Sequence, residues 1–367
     1  MSWDTIDFVI RSAAAWFFRA RNAESWIFRG AIAVLVALCG ANWVFKYSGP
    51  ISGSPGSVEI GTAGTIPDGI LWGLTVICAL LMMASAGWAW KRYANEQERL
   101  SRRKVFVIEG RGLRDDDGSP LKAAIPDNIV GTRVDYLLDL RQRKDGVIVE
   151  PEELLQPIGA MKTWFHQVQK GHDRSDLTTV YGGLTAVPLT FLTGVLLDDE
   201  SNVVVMDWDR IAGRWKLLDG PDDNVRFDVT DIEAARGARE VVLAVSASYM
   251  VKSEDLATTF TYPVVRMTLP DFQSSHWSQA KQAAMADQFL GVLKQLDAMG
   301  ADRIHLVLAA QNSVAFNLGR RYDKRNLPKV TVYQFERAQN LRYPWGVEMP
   351  VAGASARIVH SARVEAQ

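Results

Sequence analysis

Cysteine is nearly absent from this chain of 367 residues: there are two, Cys39 and Cys78, both inside apolar runs. A disulfide framework and a cysteine-built metal cluster are therefore excluded. Net charge is nearly absent as well. Forty-one Lys and Arg against 42 Asp and Glu leave a formal charge of -1, whereas a reader of duplex DNA is basic. The five histidines, His166, His172, His276, His305 and His360, are scattered, with no HExxH or CxxC pattern. A Walker loop and a GxSxG elbow are missing too, so the usual hydrolase, NTPase and metalloenzyme signatures are all lacking.

What the chain does have is tryptophan, concentrated before residue 91, and two long apolar runs. Residues 27–45 are apolar apart from Arg29 and Asn42 near the ends, and residues 70–90, ILWGLTVICALLMMASAGWAW, carry no charge. About 20 helical residues cross a hydrocarbon core of ~30 Å. Trp26, Trp43, Trp72, Trp88 and Trp90 stand at the run ends, where interfacial aromatic belts form. The pattern predicts a two-helix transmembrane hairpin within residues 23–92. Small residues such as Gly30, Ala33, Ala37 and Gly40, or Ala79, Ala84, Ser85 and Gly87, permit close contacts within the hairpin or between copies. Neither run carries the Asp, Glu or Lys that a proton relay needs, which argues against a transporter.

Residues 1–22 form an amphipathic segment, with Ile6, Val9, Ile10, Ala13, Trp16 and Phe17 on one helical face. It suits either the bilayer interface or a helix packed on the protein; its interrupted apolar core is not that of a signal peptide. Arg19, Arg21 and Arg29 precede the first run, and Lys91, Arg92, Arg99, Arg102, Arg103 and Lys104 follow the second. The loop between, residues 47–69, holds only Glu59 and Asp68 among charged residues. The positive-inside rule places both termini in the cytoplasm.

After a charged linker, residues 93–104, a soluble region is organised around residues 304–336. There a run of Ile304, Leu306, Val307 and Leu308 ends in Ala309 and Ala310, a polar turn follows, then a helical segment ending in Gly319 and a second β-rich run from Val330. That order, strand–turn–helix–strand, builds parallel sheets covered by helices. Residues 178–210 repeat it: both pieces go strand, two small residues, turn, helix ending in glycine, then a strand closing on an aromatic, an acid and Arg. An internal duplication is predicted, with halves at residues 105–235 and 236–345 and a C-terminal tail at 346–367 whose last residues are disordered or loosely docked. Residues 134–140 read as strand or short helix, residues 151–169 as a helix opened by Pro151, and residues 278–299 as the longest soluble helix. The apolar stripe of that helix is Ala283, Ala284, Phe289, Leu290, Leu293 and Leu296.

The HLVLAA strand, small-residue helix ending in LGR, Pro328 and VYQF strand resemble the SAVED family, and the hairpin ahead of them resembles its transmembrane effectors. The resemblance implies a membrane-anchored α/β chain: two transmembrane α-helices followed by two fused CARF/Rossmann-like units. It implies a sensor of cyclic oligonucleotides in CBASS antiphage defence, without catalytic residues, metal or other cofactor, and with no DNA partner. The ligand would be a cyclic di- or trinucleotide made by a cognate CD-NTase. Binding would drive homo-oligomerisation, and the hairpins would disrupt the lipid bilayer of the bacterial inner membrane, an abortive infection. The rival reading is a membrane-anchored Rossmann-like enzyme, such as a nuclease that degrades such messengers.

Parallel sheets bind ligands beyond the carboxyl ends of their strands, where small residues let a phosphate or base approach the backbone. The candidate ligand-binding residues there are Arg111, Gly182, Gly183, Thr185, Trp208, Ser246, Ser248, Tyr249, Gln311, Asn312 and Ser313. Arg111 suits a phosphate, and Tyr249, Tyr181 or Trp208 suits stacking on a base. Gln311 and Asn312 match purine edges, and the start of the helix at Ser313 suits an anion. Gly110 and Gly112 are only a fragment of a phosphate loop. His305, alternating with apolar neighbours, reads as a hydrogen-bonded core residue, and Asp207 and Asp209 as a solvated strand end rather than a catalytic pair. The topology has a direct check: a reporter active only in the periplasm should work when inserted near Ser54 and stay silent when fused after Gln367. The opposite pattern would overturn the charge-asymmetry argument.

Overall fold

The computed structural model describes residues 23–46, 59–62, 67–112, 120–144, 147–197, 202–272, 276–351 and 353–362. The amphipathic segment expected at residues 1–22 lies outside them. Two compact units emerge, Met1–Leu100 and Ser101–Gln367.

In the first unit, α1 (Ala23–Asn42) is followed by β1 (Trp43–Lys46), which pairs antiparallel with β2 (Glu59–Thr62). The first apolar run thus leaves the helix at Asn42 instead of continuing to Phe45; Trp43, Val44 and Phe45 are aromatic and β-branched types that favour strand. Helix α2 (Asp68–Arg102) is 35 residues long. It carries straight through the charged segment expected as a linker, because Lys, Arg, Glu and Gln are good helix formers. Trp72–Arg102 is long and apolar enough to cross a membrane, and α1 contributes the shorter apolar stretch Ser25–Leu38. Each helix buries residues one heptad apart, Ala31 and Leu38 on α1 and Cys78 and Ser85 on α2, while Trp26, Val36, Leu80, Met83 and Trp90 stand exposed.

The second unit holds two sheets. The first contains β3 (Lys104–Arg111), β4 (Thr132–Asp139), β7 (Leu177–Leu184), β8 (Val203–Asp209) and β9 (Arg214–Leu217), in the order β4-β3-β7-β8-β9. All neighbours are parallel except β9, which turns back on β8. A short helix α3 (Leu121–Ala124) precedes β4, and a two-stranded ribbon, β5 (Arg143–Lys144) with β6 (Val147–Ile148), follows it. A turn of 3-10 helix at Pro151–Leu154 leads into α4 (Leu155–Gln169), and α5 (Val187–Leu196) links β7 to β8.

The second sheet runs β10-β12-β11-β13-β14-β15-β16. Its members are β10 (Asp228–Thr230), β11 (Glu240–Ser246), β12 (Val264–Thr268), β13 (Arg303–Ala309), β14 (Lys329–Gln334), β15 (Trp345–Glu348) and β16 (Arg357–His360). Helix α6 (Ser253–Ala257), α7 (Gln279–Ala298) and α8 (Asn312–Arg321) make the connections. Setting β10 and β16 aside, both sheets follow the order second, first, third, fourth, fifth, with the fifth strand antiparallel. The duplication predicted from residues 178–210 and 304–337 is therefore a duplication of topology.

Three expectations need correction. The second half is wider than residues 236–345, since β10 starts at Asp228 and β16 ends at His360. Part of the stretch read as a tail is strand: β15 pairs with β14, and β16 pairs with β15 as the edge strand, Trp345↔His360 through Glu348↔Arg357, where hydrogen bonds to the sheet outweigh weak periodicity. On α7, Ala283 is exposed, and the buried stripe is Met285, Ala286, Phe289, Val292, Leu293 and Leu296. The stretch left open at residues 134–140 is strand.

The near-continuous apolar strands, such as Val241–Val245, are buried on both faces, as a parallel sheet covered by helices requires. Helices α5 and α8 meet between the sheets. Both are ten residues long and begin 125 residues apart. An added Cβ at Gly194 would overlap the Phe316 carbonyl oxygen, and one at Gly319 would overlap that of Phe191. The crossing is thus symmetric, glycine against the equivalent carbonyl on each side. Tyr181 stacks on Phe316 with ring centroids 3.8 Å apart. We expect Gly194→Ala and Gly319→Ala each to destabilise the fold by about 1–3 kcal/mol. Gly291→Ala on α7, where nothing lies within 4 Å, should be neutral or stabilising by up to ~1 kcal/mol. Thermal unfolding of the full chain checks this; equal midpoints for all three variants would overturn the account.

Candidate functional site

The helix crossing sets the geometry of the strand-end loops. Because α5 and α8 start on the same side of it, the end of β7 meets the start of α8. The backbone N–H of Thr185 donates to Asn312 Oδ1 at 3.1 Å, the Thr190 hydroxyl donates to the same oxygen at 2.8 Å, and the two threonine hydroxyls lie 2.6 Å apart. Around this knot the other loops converge. A Cβ at Gly112 would touch Thr185 Cα, and one at Gly110 would touch Thr185 Cγ2. In the second half, the N–H groups of Ala247 and Ser248 both donate to the Ala309 carbonyl, joining the end of β11 to that of β13.

A second polar cluster lies beside it. Asp207, almost fully buried, accepts from the Ser313 N–H at 3.2 Å and the Trp208 N–H at 2.8 Å. His276 Nε2 stands 3.7 Å from the same carboxylate. Gln282 Nε2 donates to Ser313 Oγ at 2.9 Å and to the His276 carbonyl, and Asn317 donates to Gln282 Oε1. Burial pushes the His276 imidazole below its usual range, against the opposing pull of Asp207, so the ring is held neutral. Among the described residues, no three His, Cys, Asp or Glu side chains converge as a metal site.

The model for the SAVED domain, the SMODS-associated and fused to various effectors sensor domain, matches residues 162–349, just over half of the chain. The chain belongs to the SAVED family. The model of the SAVED-fused 2TM effector domain matches residues 3–155. The two models meet within one sheet, since β3 and β4 come from the effector match and β7 to β9 from the SAVED match. No curated protein matches. Among solved structures the fold is similar to the Acinetobacter baumannii Cap4 SAVED/CARF-domain receptor with the cyclic trinucleotide 2'3'3'-cAAA, at 10% identity, TM-score 0.46, over 77% of this chain and 60% of that one. It is also similar to the Moraxella osloensis Cap4 SAVED/CARF-domain receptor, at 12% identity, TM-score 0.42, over 78% and 60%. The chain thus spans about 60% of the length of these receptors.

The predicted candidates stand at or next to the carboxyl ends of strands in the two sheets, and they differ in how far they are buried. Arg111 is half-buried, with Nε 2.9 Å from Glu109, whose other oxygen accepts from the Leu121 N–H. Tyr249 is 52% exposed and available for stacking. Gln311 is half-buried, with a buried side-chain oxygen that has no hydrogen-bond partner. Ser246 is buried, and its hydroxyl accepts from the Val251 N–H. Gly182 and Gly183 serve packing: a Cβ at Gly182 would strike Leu121 and Trp215, and one at Gly183 would strike the Tyr181 hydroxyl. Trp208 is half-buried and packs edge-on against Trp215 at 5.5 Å.

Some expectations are corrected here. Tyr181 cannot stack on a base, since it is 1% exposed and already stacked on Phe316. Asp207 is not a solvated strand end. Its carboxylate occupies the Ser313 N–H at the start of α8, where the sequence suggested room for an anion, and the helix dipole makes the exchange favourable. Asp209 does behave as a turn residue, accepting from the N–H groups of Ile211 and Ala212. His305 is the core residue expected, bonded to Tyr333 Oη and Glu240. The residues missed, Thr190, His276, Gln282 and Asn317, carried no signal, because their partners are distant in sequence. Asn312, with two donors converging on one oxygen, is structural. We expect Asn312→Ala to leave the Thr185 N–H unpaired and destabilise the full chain by about 1–3 kcal/mol. Arg111→Ala leaves Glu109 its backbone donor and should stay within about 1 kcal/mol of the parent. Equal unfolding midpoints for the two variants would overturn this assignment.

Proposed function

We propose that this protein is a membrane effector that senses a cyclic di- or trinucleotide at the strand-end face of its SAVED domain, and that binding drives assembly and disruption of the bacterial inner membrane. The observation that carries the reading is the path of β3. This strand starts at Lys104, with a single residue between it and the end of α2 at Arg102, lies between β4 and β7, and finishes at Arg111 beside the Thr185–Asn312 knot. One continuous strand therefore links the end of the apolar helix to the candidate ligand face. The A. baumannii receptor was solved with a cyclic trinucleotide, which supports the ligand class. Arg111 would take a phosphate, Tyr249 a base face, and Gln311 and Ser248 the polar edges. Gly182, Gly183, Thr185, Trp208, Ser246, Asn312 and Ser313 would shape the floor on which the ligand rests.

Ligand changes assembly only through a difference in affinity between the two states, so a messenger seated across both halves must favour the assembled form. Assembly would raise the effective concentration of hairpins that associate weakly alone. The termini would face the cytoplasm, where a CD-NTase product is released. We treat the protein as a sensor rather than an enzyme: Asp207, Asn312 and Gln282 at the face are engaged by neighbouring protein groups, and Gln311, whose side-chain oxygen has no partner in the protein, is an amide with no acid–base chemistry of its own.

The test uses the full chain in liposomes loaded with a self-quenching dye. Dye release is expected only when a suitable cyclic oligonucleotide is added. Arg111→Ala should raise the concentration needed roughly tenfold, the value of one charge-assisted hydrogen bond. The oligonucleotide should be recovered intact by mass spectrometry. Linear products would shift the reading to the membrane-anchored nuclease, and release that is indifferent to messenger would sink the sensor.

A further inference from the structure

Strand β4 forms one side of the first sheet, and no described strand pairs with its outer edge. It is eight residues long, whereas the other outer strands of the two sheets, β9, β10 and β16, have four, three and four. Short outer strands are a usual protection against edge-to-edge pairing, and β4 lacks it. The second half shows what fits such an edge. Its equivalent strand, β12, is covered by β10, which runs antiparallel to it from Asp228↔Thr268 to Thr230↔Arg266. Strand β10 begins twelve residues ahead of β11, and twelve residues ahead of β3 lies Arg92, inside α2. The helix thus takes the place in the chain from which the first half would draw its own covering strand.

The open edge is held ready for a partner. Thr132 and Leu140 give their N–H groups to the carbonyls of Arg103 and Arg111, so by alternation the main chain of Arg133, Asp135 and Leu137 faces outward. Val134 and Tyr136 pack on the core, with Tyr136 against Trp164 at 4.8 Å, and the Arg133 guanidinium donates to the carbonyls of Lys122 and Ile125. Leu137 is nonetheless 52% exposed in mid-strand, and Val130 ahead of β4 and Ile148 on the ribbon after it are exposed as well. Charge selects how the strand can meet its own copy. Of the two antiparallel registers with the longest overlap, one sets Asp135 against itself; the other, centred on Tyr136, sets Asp135 against Leu137 and Arg133 against Asp139. We propose that two copies of this chain pair edge to edge through β4, antiparallel about a twofold axis at Tyr136, so that their five-stranded sheets become one. Such a pair closes on itself. It needs no messenger and lies along the side of the sheet rather than on the strand-end face. Assembly driven by a messenger would use a separate contact, so the failure of either reading leaves the other standing.

The experiment uses the full chain in detergent micelles without any nucleotide, in a background of Cys39→Ala and Cys78→Ala. Two differently tagged copies, one carrying Asp135→Cys and the other Leu137→Cys, are co-expressed and oxidised. Directly opposed positions stand about 5.5 Å apart between Cα atoms, within reach of a disulfide, whereas diagonal positions do not. The mixed pair should therefore cross-link, and Leu137→Cys alone should do so roughly tenfold more slowly or not at all. Leu137→Lys, which sets a charge on the edge, should weaken dimerisation in sedimentation roughly tenfold at an unchanged unfolding midpoint. Leu137→Pro removes an outward N–H that β3 does not use and should act in the same direction. If Leu137→Pro lowers the midpoint, Leu137→Lys carries the test alone. A missing mixed cross-link, an equal rate for Leu137→Cys alone, or a dimer indifferent to Leu137→Lys would each overturn the proposal, the last by assigning the dimer to the hairpins.

Discussion

The crossing of α5 and α8 is the constraint on which the soluble unit depends. Two helices approach so closely that the side chain at the contact must be hydrogen on both sides, with Gly194 against Phe316 and Gly319 against Phe191. Dispersion and apolar burial at such a contact stabilise only while the backbones can meet. From this follow the joining of the two halves by Tyr181 and Phe316, and the meeting of Thr185 with Asn312. The strand ends of two separate sheets become one face because of a contact that lies beneath them.

Polar groups then decide what that face offers. Asp207 reaches from the first half to the first turn of α8 and satisfies an N–H that an anion would otherwise claim. His276, Gln282 and Asn317 extend the network, and a buried network of this kind rigidifies what it satisfies. The connection between the halves is held in a similar way: Gln288 exchanges two hydrogen bonds with the Phe227 backbone, and the buried Lys281 pairs with Asp223 at 2.8 Å. Removing one partner from such pairs is costly, because the other is left desolvated. At the strand ends, Arg111, Ser248 and Gln311 stay half-buried and Tyr249 exposed.

The effector unit follows simpler physics. One helix long and apolar enough to cross a membrane, a shorter apolar stretch before it, tryptophan at their ends and a basic segment after the second are local properties, and they coincide with the match to a SAVED-fused 2TM effector domain. The continuity of α2 with β3 joins that unit to the sensor with one intervening residue, and the boundary between the two family models falls inside a single sheet.

The sequence by itself determined what depends on neighbours in the chain. The apolar runs before Lys91, the strand–turn–helix–strand order at residues 304–336 and its repeat at 178–210 all rest on periodicity and turn chemistry, which are local. So does the placement of Gly112, Thr185, Ser248 and Gln311 at strand ends. Tertiary structure alone decided which of those residues are free. Nothing in the chain says that Asp207 will meet Ser313, 106 positions away, or that Asn312 will be consumed by Thr185 at a separation of 127. Tyr181 read as an aromatic near a ligand loop and proved to be a core ring. The strands at Trp345–Glu348 and Arg357–His360 had too few residues to show a period; the first extends the sheet from β14 and the second forms its edge, each on hydrogen-bonding groups that the strand before it would leave unpaired. Contacts between distant residues depend on how the two halves dock, and that docking is set by two glycines whose partners are backbone carbonyls, which carry no residue identity to read.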